Sequence, residues 1–269
     1  MTFWDHLDEL RKTLIEVVVV LALFTVIIFL LKEPVFDVIL APNSTDFITY
    51  RLAEMFLFAD LQSGGTPFVS VPLINTELTS QFLIHIKVSF YVALVLTSPF
   101  IFYKLYQFVS PALYRKEKKY STWVLVGSCL SFFAGLLISY FVIFPFSFRF
   151  LANYQVSGEV SNMISLHSYI GTLISLCLLM GLFFELPVMS WLLCKLGIIR
   201  AAMLKKYRRH AVSIILIVAA IITPTTDIFT LILVALPIVL LYELSIVIVR
   251  ITQRNRKIIP FKYLNFIPK

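Results

Sequence analysis

The stretch TLIEVVVVLALFTVIIFLL, residues 13–31, decides the class of fold. Crossing the hydrocarbon of a bilayer takes about 20 mostly apolar residues in a helix, and this run has that length. Five further apolar stretches follow, at 82–103, 121–146, 164–194, 210–222 and 228–249. Across all 269 residues, 59% are hydrophobic, 14% are charged and the mean hydropathy is +0.92. Soluble domains carry about 25% charged residues. One core cannot hide this much apolar surface, so lipid must be the main solvent. A soluble enzyme, an extracellular domain and a disordered chain are excluded. The expected fold is an all-α membrane protein in one domain, residues 1–250, followed by a basic tail at 251–269.

Charge sets the expected orientation. The formal net charge is +8. In a soluble chain that points to nucleic acid; here the enrichment of Lys and Arg on the inner side of membranes accounts for it, and no nucleic acid is expected. Of the 23 Lys and Arg, 19 fall in the N-terminal segment, the second-to-third connection, the fourth-to-fifth connection and the C-terminal tail. The other connections hold only Lys32, Arg51 and Arg149, while Lys87 lies inside span two. Both termini are therefore expected in the cytoplasm, with six spans between them. The acidic, amphipathic start Met1-Thr-Phe-Trp-Asp-His6 does not match a cleavable signal peptide, so span one is expected to stay. Cys129, Cys177 and Cys194 all sit in apolar runs without metal-ligand spacing and read as small hydrophobes. No metal or other cofactor is expected.

Two spans have unusual lengths. The fourth would reach roughly 46 Å as one helix and must tilt or bend, whereas the fifth would reach roughly 20 Å and falls short of the roughly 30 Å core. A short helix thins the bilayer or lets its charged flanks snorkel, here Arg209 and Asp227. The connection after span one carries Phe47, Ile48, Leu52, Met55, Phe56 and Phe58 among acidic residues, then Gly64-Gly65. It reads as an amphipathic helix over the membrane face followed by a turn. Residues 147–163 read as a smaller cap.

Few residues carry chemistry. Hydrolase, zinc-protease and P-loop motifs are absent, and the four histidines are dispersed, so no enzyme is expected. Asp5, Asp8 and Glu9 share a face of a surface helix leading into span one. They either cap the helix dipole and pair with Arg11 and Lys12, or bind a cationic ligand. Glu117 is one acid among the cations of 104–119. It either neutralises a helix end or accepts a guanidinium, which pairs with carboxylate in bidentate geometry. Glu185, in Gly181-Leu-Phe-Phe-Glu-Leu-Pro187, lies roughly 15 Å from the basic edge at Lys195. A carboxyl inside a membrane is a functional candidate by default, and Pro187 invites a kink beside it. Interhelical hydrogen bonding by a protonated acid is the structural reading. Glu243 in span six is a weaker second case.

Together these residues resemble the TatC family, the multispanning receptor subunit of the twin-arginine protein translocase. The likeness rests on His6-Leu-Asp-Glu-Leu-Arg11, Ala41-Pro42, Phe82 with Lys87, Ser98-Pro99, and Phe108-Val-Ser-Pro-Ala-Leu-Tyr114 with Glu117. It continues through Tyr140-Phe-Val-Ile-Phe-Pro145, Phe184-Glu-Leu-Pro187, Thr223-Pro224 with Asp227, and Glu243. The resemblance implies six helices in a curved, cup-like bundle in the cytoplasmic (inner) membrane. It implies binding of the Arg-Arg signal peptides of folded cargo at Glu9, Phe108 and Glu117, with Arg11 nearby. It also implies docking of single-span partners of the TatA/TatB type along spans five and six, homo-oligomerisation within the complex, and export driven by the proton-motive force. Glu185 and Glu243 are then partner-docking or intramembrane polar groups, and Pro42 and Asp227 functional positions of the outer loops. Thr223-Pro-Thr-Thr-Asp227 carries one residue more than the family's Pro-Pro-Asp form. A second reading is a proton-coupled small-molecule transporter with Glu185 as its proton site. It lacks the paired interrupted helices in repeated halves that such transporters show.

Overall fold

The computed structural model describes residues 3–57, 71–109, 121–154, 162–222 and 227–255. Helix α1 (Phe3–Leu30) leads into α2 (Lys32–Leu40), a 3-10 turn at Ala41–Asn43, and α3 (Ile48–Leu57). Next come α4 (Ser80–Val109), α5 (Ser121–Ile138), a π-helical turn at Ser139–Ile143, and α6 (Phe144–Asn153). Helices α7 (Leu166–Phe184), α8 (Leu186–Lys195), α9 (Ala201–Lys206), α10 (Arg208–Ile222) and α11 (Ile228–Asn255) follow among the described residues. Two short strands, β1 (Leu73–Ile74) and β2 (Ile164–Ser165), pair in parallel with Leu73 opposite Ile164. They tie the connection before α4 to the one before α7.

Five helical runs are long and apolar enough to cross a membrane: Leu7–Leu30, Ser80–Phe108, Val124–Asn153, Leu166–Lys195 and Ile228–Arg254. Lipid explains their surfaces, since Leu14, Ile15, Val18 and Val19 of α1 are exposed. The expected fifth span is the 15-residue α10. At about 22 Å it is shorter than the roughly 30 Å hydrocarbon core. The helices differ from the sequence reading at one boundary and by one additional helix, and the bend expected in span four is present. The helix of span three does not stop at residue 146 but continues to Asn153, through residues that read as the start of a cap. Span four is two helices, broken at Glu185. Helix α2, absent from the sequence reading, follows α1 after a single residue. The expected amphipathic helix is present as α3; Gly64-Gly65 lies outside the described residues.

Prolines shape these helices, and hydroxyls repair them. A proline has no N–H, so the carbonyl four residues earlier loses its helical donor. Pro99 frees Val95 O, and Ser98 Oγ donates to it at 2.7 Å. Pro145 frees Phe141 O beside the π-helical turn, and Thr49 Oγ1 of α3 donates to that oxygen. Beside the α7–α8 break, Ser131 Oγ of α5 donates to Phe184 O, the carbonyl next to the one at Phe183 that lies four residues before Pro187. The Thr49 bond also clamps α3 onto the bundle. Thr49→Val should cost about 1–3 kcal/mol by leaving a part-buried carbonyl without this donor, and Thr49→Ser should cost less. Thermal unfolding in detergent reads the difference.

The core forms where α4, α5, α6, α7 and α11 meet, with Val88, Phe144, Ile170, Leu176, Met180 and Ile238 almost fully buried. Helices α5 and α7 approach at Gly135, where an added Cβ would stand 2.6 Å from Met180 O. Small residues permit this closeness, on which helix association in lipid depends.

Candidate functional site

Helices α1 and α4 pack antiparallel. Phe29 stacks on His85 at 4.1 Å near one end, and Glu16 pairs with Lys104 toward the other. Glu9 lies seven residues before Glu16 and Phe108 four after Lys104, so both project to the same end of the helix pair. Glu9 is half-buried, and its Oε2 is shielded from solvent without a hydrogen-bond partner among the described residues. Phe108 is half-buried and Arg11 exposed. Glu117 lies outside the described residues. The Glu16–Lys104 pair was missed in the sequence. The available signal is Glu16, an ionisable residue inside an apolar run, with Lys104 at the edge of another.

Glu185 sits at the α7–α8 break with φ −73° and ψ −16°, and it is 6% exposed. Pro187 occupies the first turn of α8, where a missing N–H costs nothing. Ser128 of α5 is the polar side chain facing the carboxyl, yet neither oxygen meets an aligned donor among the described residues. Glu243 is half-buried on α11, and its carboxylate contacts Arg208 Nε at the start of α10. The contact is one of charge rather than an aligned hydrogen bond. On the same side, Tyr242 Oη donates to Leu204 O at 2.8 Å, which seats α9 against α11.

Pro42 and Asp227 do structural work at the opposite end of α1. Pro42 is buried in the 3-10 turn, and its carbonyl accepts from Tyr50 Oη at 2.9 Å. Arg149, buried on α6, lies 4.2 Å over the Tyr50 ring. Burial pushes the Tyr50 hydroxyl above its ordinary range, while Arg149 works against that shift. Asp227 caps α11, its Oδ2 accepting from Thr230 N at 2.7 Å. Thr223 and Pro224 lie outside the described residues. No group of three or more His, Cys, Asp or Glu side chains among the described residues is placed to hold a metal.

A helical bundle with five helices long and apolar enough to span a bilayer, one half-buried carboxylate at the α1 end and a buried one at a helix break is that of a multi-pass membrane protein. A family model, "Sec-independent protein translocase protein (TatC)", matches residues 5–237. The chain belongs to the TatC family. It is 36% identical over 252 residues to a TatC of Blattabacterium sp. subsp. Periplaneta americana (strain BPLAN), covering 92% of this chain and 94% of that protein. It is 33% identical over 243 residues to TatC of Escherichia coli (strain K12), covering 90% of this chain and 85% of that one. A crystal structure of "Twin Arginine Translocase Receptor- TatC" superposes with a TM-score of 0.75 at 30% identity, covering 93% of this chain and all of that one. The chain is thus a component of a protein translocase.

Proposed function

We propose that this chain is the subunit that receives Arg-Arg signal peptides of folded proteins and scaffolds their export by the proton-motive force, without catalysis of its own. In this reading it sits in the cytoplasmic (inner) membrane with six spans, α10 being the short one, arranged as a cup with both termini in the cytoplasm. The signal site comprises Glu9, Arg11, Phe108 and Glu117. The observation that carries the reading is Glu9, whose shielded Oε2 at the cytoplasmic end of α1 has no partner among the described residues. A shielded carboxylate oxygen calls for a donor, and a guanidinium supplies two in a fixed fork. The direct test is photocrosslinking of an Arg-Arg signal peptide to the full chain in membranes. Crosslinks at the α1 end that persist with a Lys-Lys peptide would defeat the reading.

Single-span partners of the TatA/TatB type dock along α10 and α11 in this proposal, and several copies of the chain assemble within the complex. Glu185 offers a buried carboxyl to a polar group on such a partner, and Glu243 holds α10 to α11 through Arg208. Pro42 and Asp227 shape the outer ends that the assembly uses. Glu185→Ala should leave the protein folded and able to bind signal peptide but lose crosslinks to the small partner. Lowered thermal stability in detergent, with partner crosslinks in proportion to surviving protein, would instead make Glu185 a purely structural group.

A further inference from the structure

Lys87 is a charge inside a membrane span that no contact above employs. It lies on α4, seven residues from Ser80, or about 10 Å along the axis. Helix α4 has 30 residues, about 45 Å against a hydrocarbon core of about 30 Å. With the surplus shared between its ends, Lys87 falls just inside the hydrocarbon boundary on the β1–β2 side. The residue is exposed, and the ion pairs among the described residues all use other cations. No hydrogen bond among the described residues reaches its ammonium. An ammonium at this depth either snorkels to the interface or meets an anion there.

The surroundings of Lys87 are those of a seat. Its Nζ lies 3.9 Å from where a Cβ on Gly171 of α7 would stand, which places the cation alongside the first turns of α7. Ser168 and Thr172, on the same turn of α7, bring hydroxyls to this level; Thr172 Oγ1 donates to Ser168 O at 2.8 Å. These two residues also edge a cavity of about 230 Å³ between α6 and α7, walled by Phe144, Phe148, Leu151 and Met163. On the lipid side of Lys87, Leu83 and Phe90 stand exposed on α4. Cation, hydroxyls and a pocket of mixed polar and apolar lining, Asn162 and Tyr169 included, therefore occur at one depth, that of a phospholipid headgroup and the start of its acyl chains.

We propose that Lys87 and the first turns of α7 bind the phosphate of an anionic phospholipid in the leaflet on the β1–β2 side, with acyl chain running along Leu83 and Phe90 and into the α6–α7 cavity. An anionic headgroup is favoured because no carboxylate among the described residues pairs with Lys87 or stands in for one. The lipid would fill the groove between α4 and α7 at the end where β1 and β2 join the two outer connections.

The test uses the purified full chain in detergent, without signal peptide, so its failure leaves signal binding untouched. Phosphatidylglycerol, phosphatidylcholine and inorganic phosphate are titrated separately, with retained lipid read by native mass spectrometry and stability by thermal unfolding. The wild type and Lys87→Arg should retain phosphatidylglycerol and gain stability from it. Lys87→Gln should retain about five-fold less, as expected for one cation near a headgroup, while Lys206→Gln should match the wild type. Thr172→Leu, which narrows the cavity and leaves the charge in place, should also weaken retention and keeps the test decisive if Lys87→Gln misfolds. Equal retention by Lys87→Gln overturns the proposal. Equal stabilisation by inorganic phosphate overturns it in favour of a soluble-anion site. Undiminished lipid with loss of a co-purifying single-span protein overturns it in favour of a partner's carboxylate.

Discussion

Replacing Glu9 and Glu117 together with glutamine should abolish export of an Arg-Arg cargo while leaving the protein at its normal level in the membrane. A hydrogen bond to a charged group is worth about 1.5–3 kcal/mol, between about tenfold and a hundredfold in affinity for each carboxylate. Glutamine keeps the size and one acceptor oxygen but cannot pair with a guanidinium as a charge. Glu9 carries the clearer expectation, since its Oε2 is already out of water with nothing bound to it among the described residues. Fluorescence titration with an Arg-Arg peptide measures the effect. The two losses need not add, because both groups would hold the same ligand. Intact export by the double variant would remove these carboxylates from the proposed signal site.

Gly135→Ala should be the most damaging single methyl added to the bundle. The new Cβ would stand 2.6 Å from Met180 O, 2.9 Å from Met180 C and 2.9 Å from Phe184 Cβ. Two of these atoms are backbone, so α5 must move away from α7. Overpacking of this kind costs about 1–3 kcal/mol and occasionally more. The displacement would also strain the Ser131–Phe184 bond at the Glu185 break. Gly181→Ala meets the Phe132 ring at 2.7 Å, a side chain rather than backbone, and should cost less. Gly127→Ala, with nothing within 4 Å, should be neutral or slightly stabilising because alanine is the better helix former. Thermal unfolding of the three variants in one detergent ranks them. If Gly135→Ala unfolds no earlier than Gly127→Ala, the close approach does not hold the fold.

The sequence showed most where one residue type has one physical consequence. Apolar runs of spanning length marked the membrane helices, and Pro187 beside Glu185 marked the break in span four. It was least informative where a polar residue had two possible homes. Residues Ser147–Asn153 read only as part of a cap after span three, yet they continue α6, which buries the Arg149 guanidinium against the Tyr50 ring. Glu16 and Lys104 read as unrelated charges because nothing in either segment names the other.

What the sequence by itself determined was the solvent of each segment. Transfer of side chains between water and hydrocarbon is a local, nearly additive property, and runs such as 13–31 carry it without reference to the rest of the chain. What only the tertiary structure decided was which polar groups satisfy one another: Thr49 on the carbonyl freed by Pro145, Lys104 on Glu16, Arg208 on Glu243. Hydrogen bonds and ion pairs depend on distance and angle. Those are set when helices far apart in sequence pack, and at Gly135 that packing depends on a side chain that is not there.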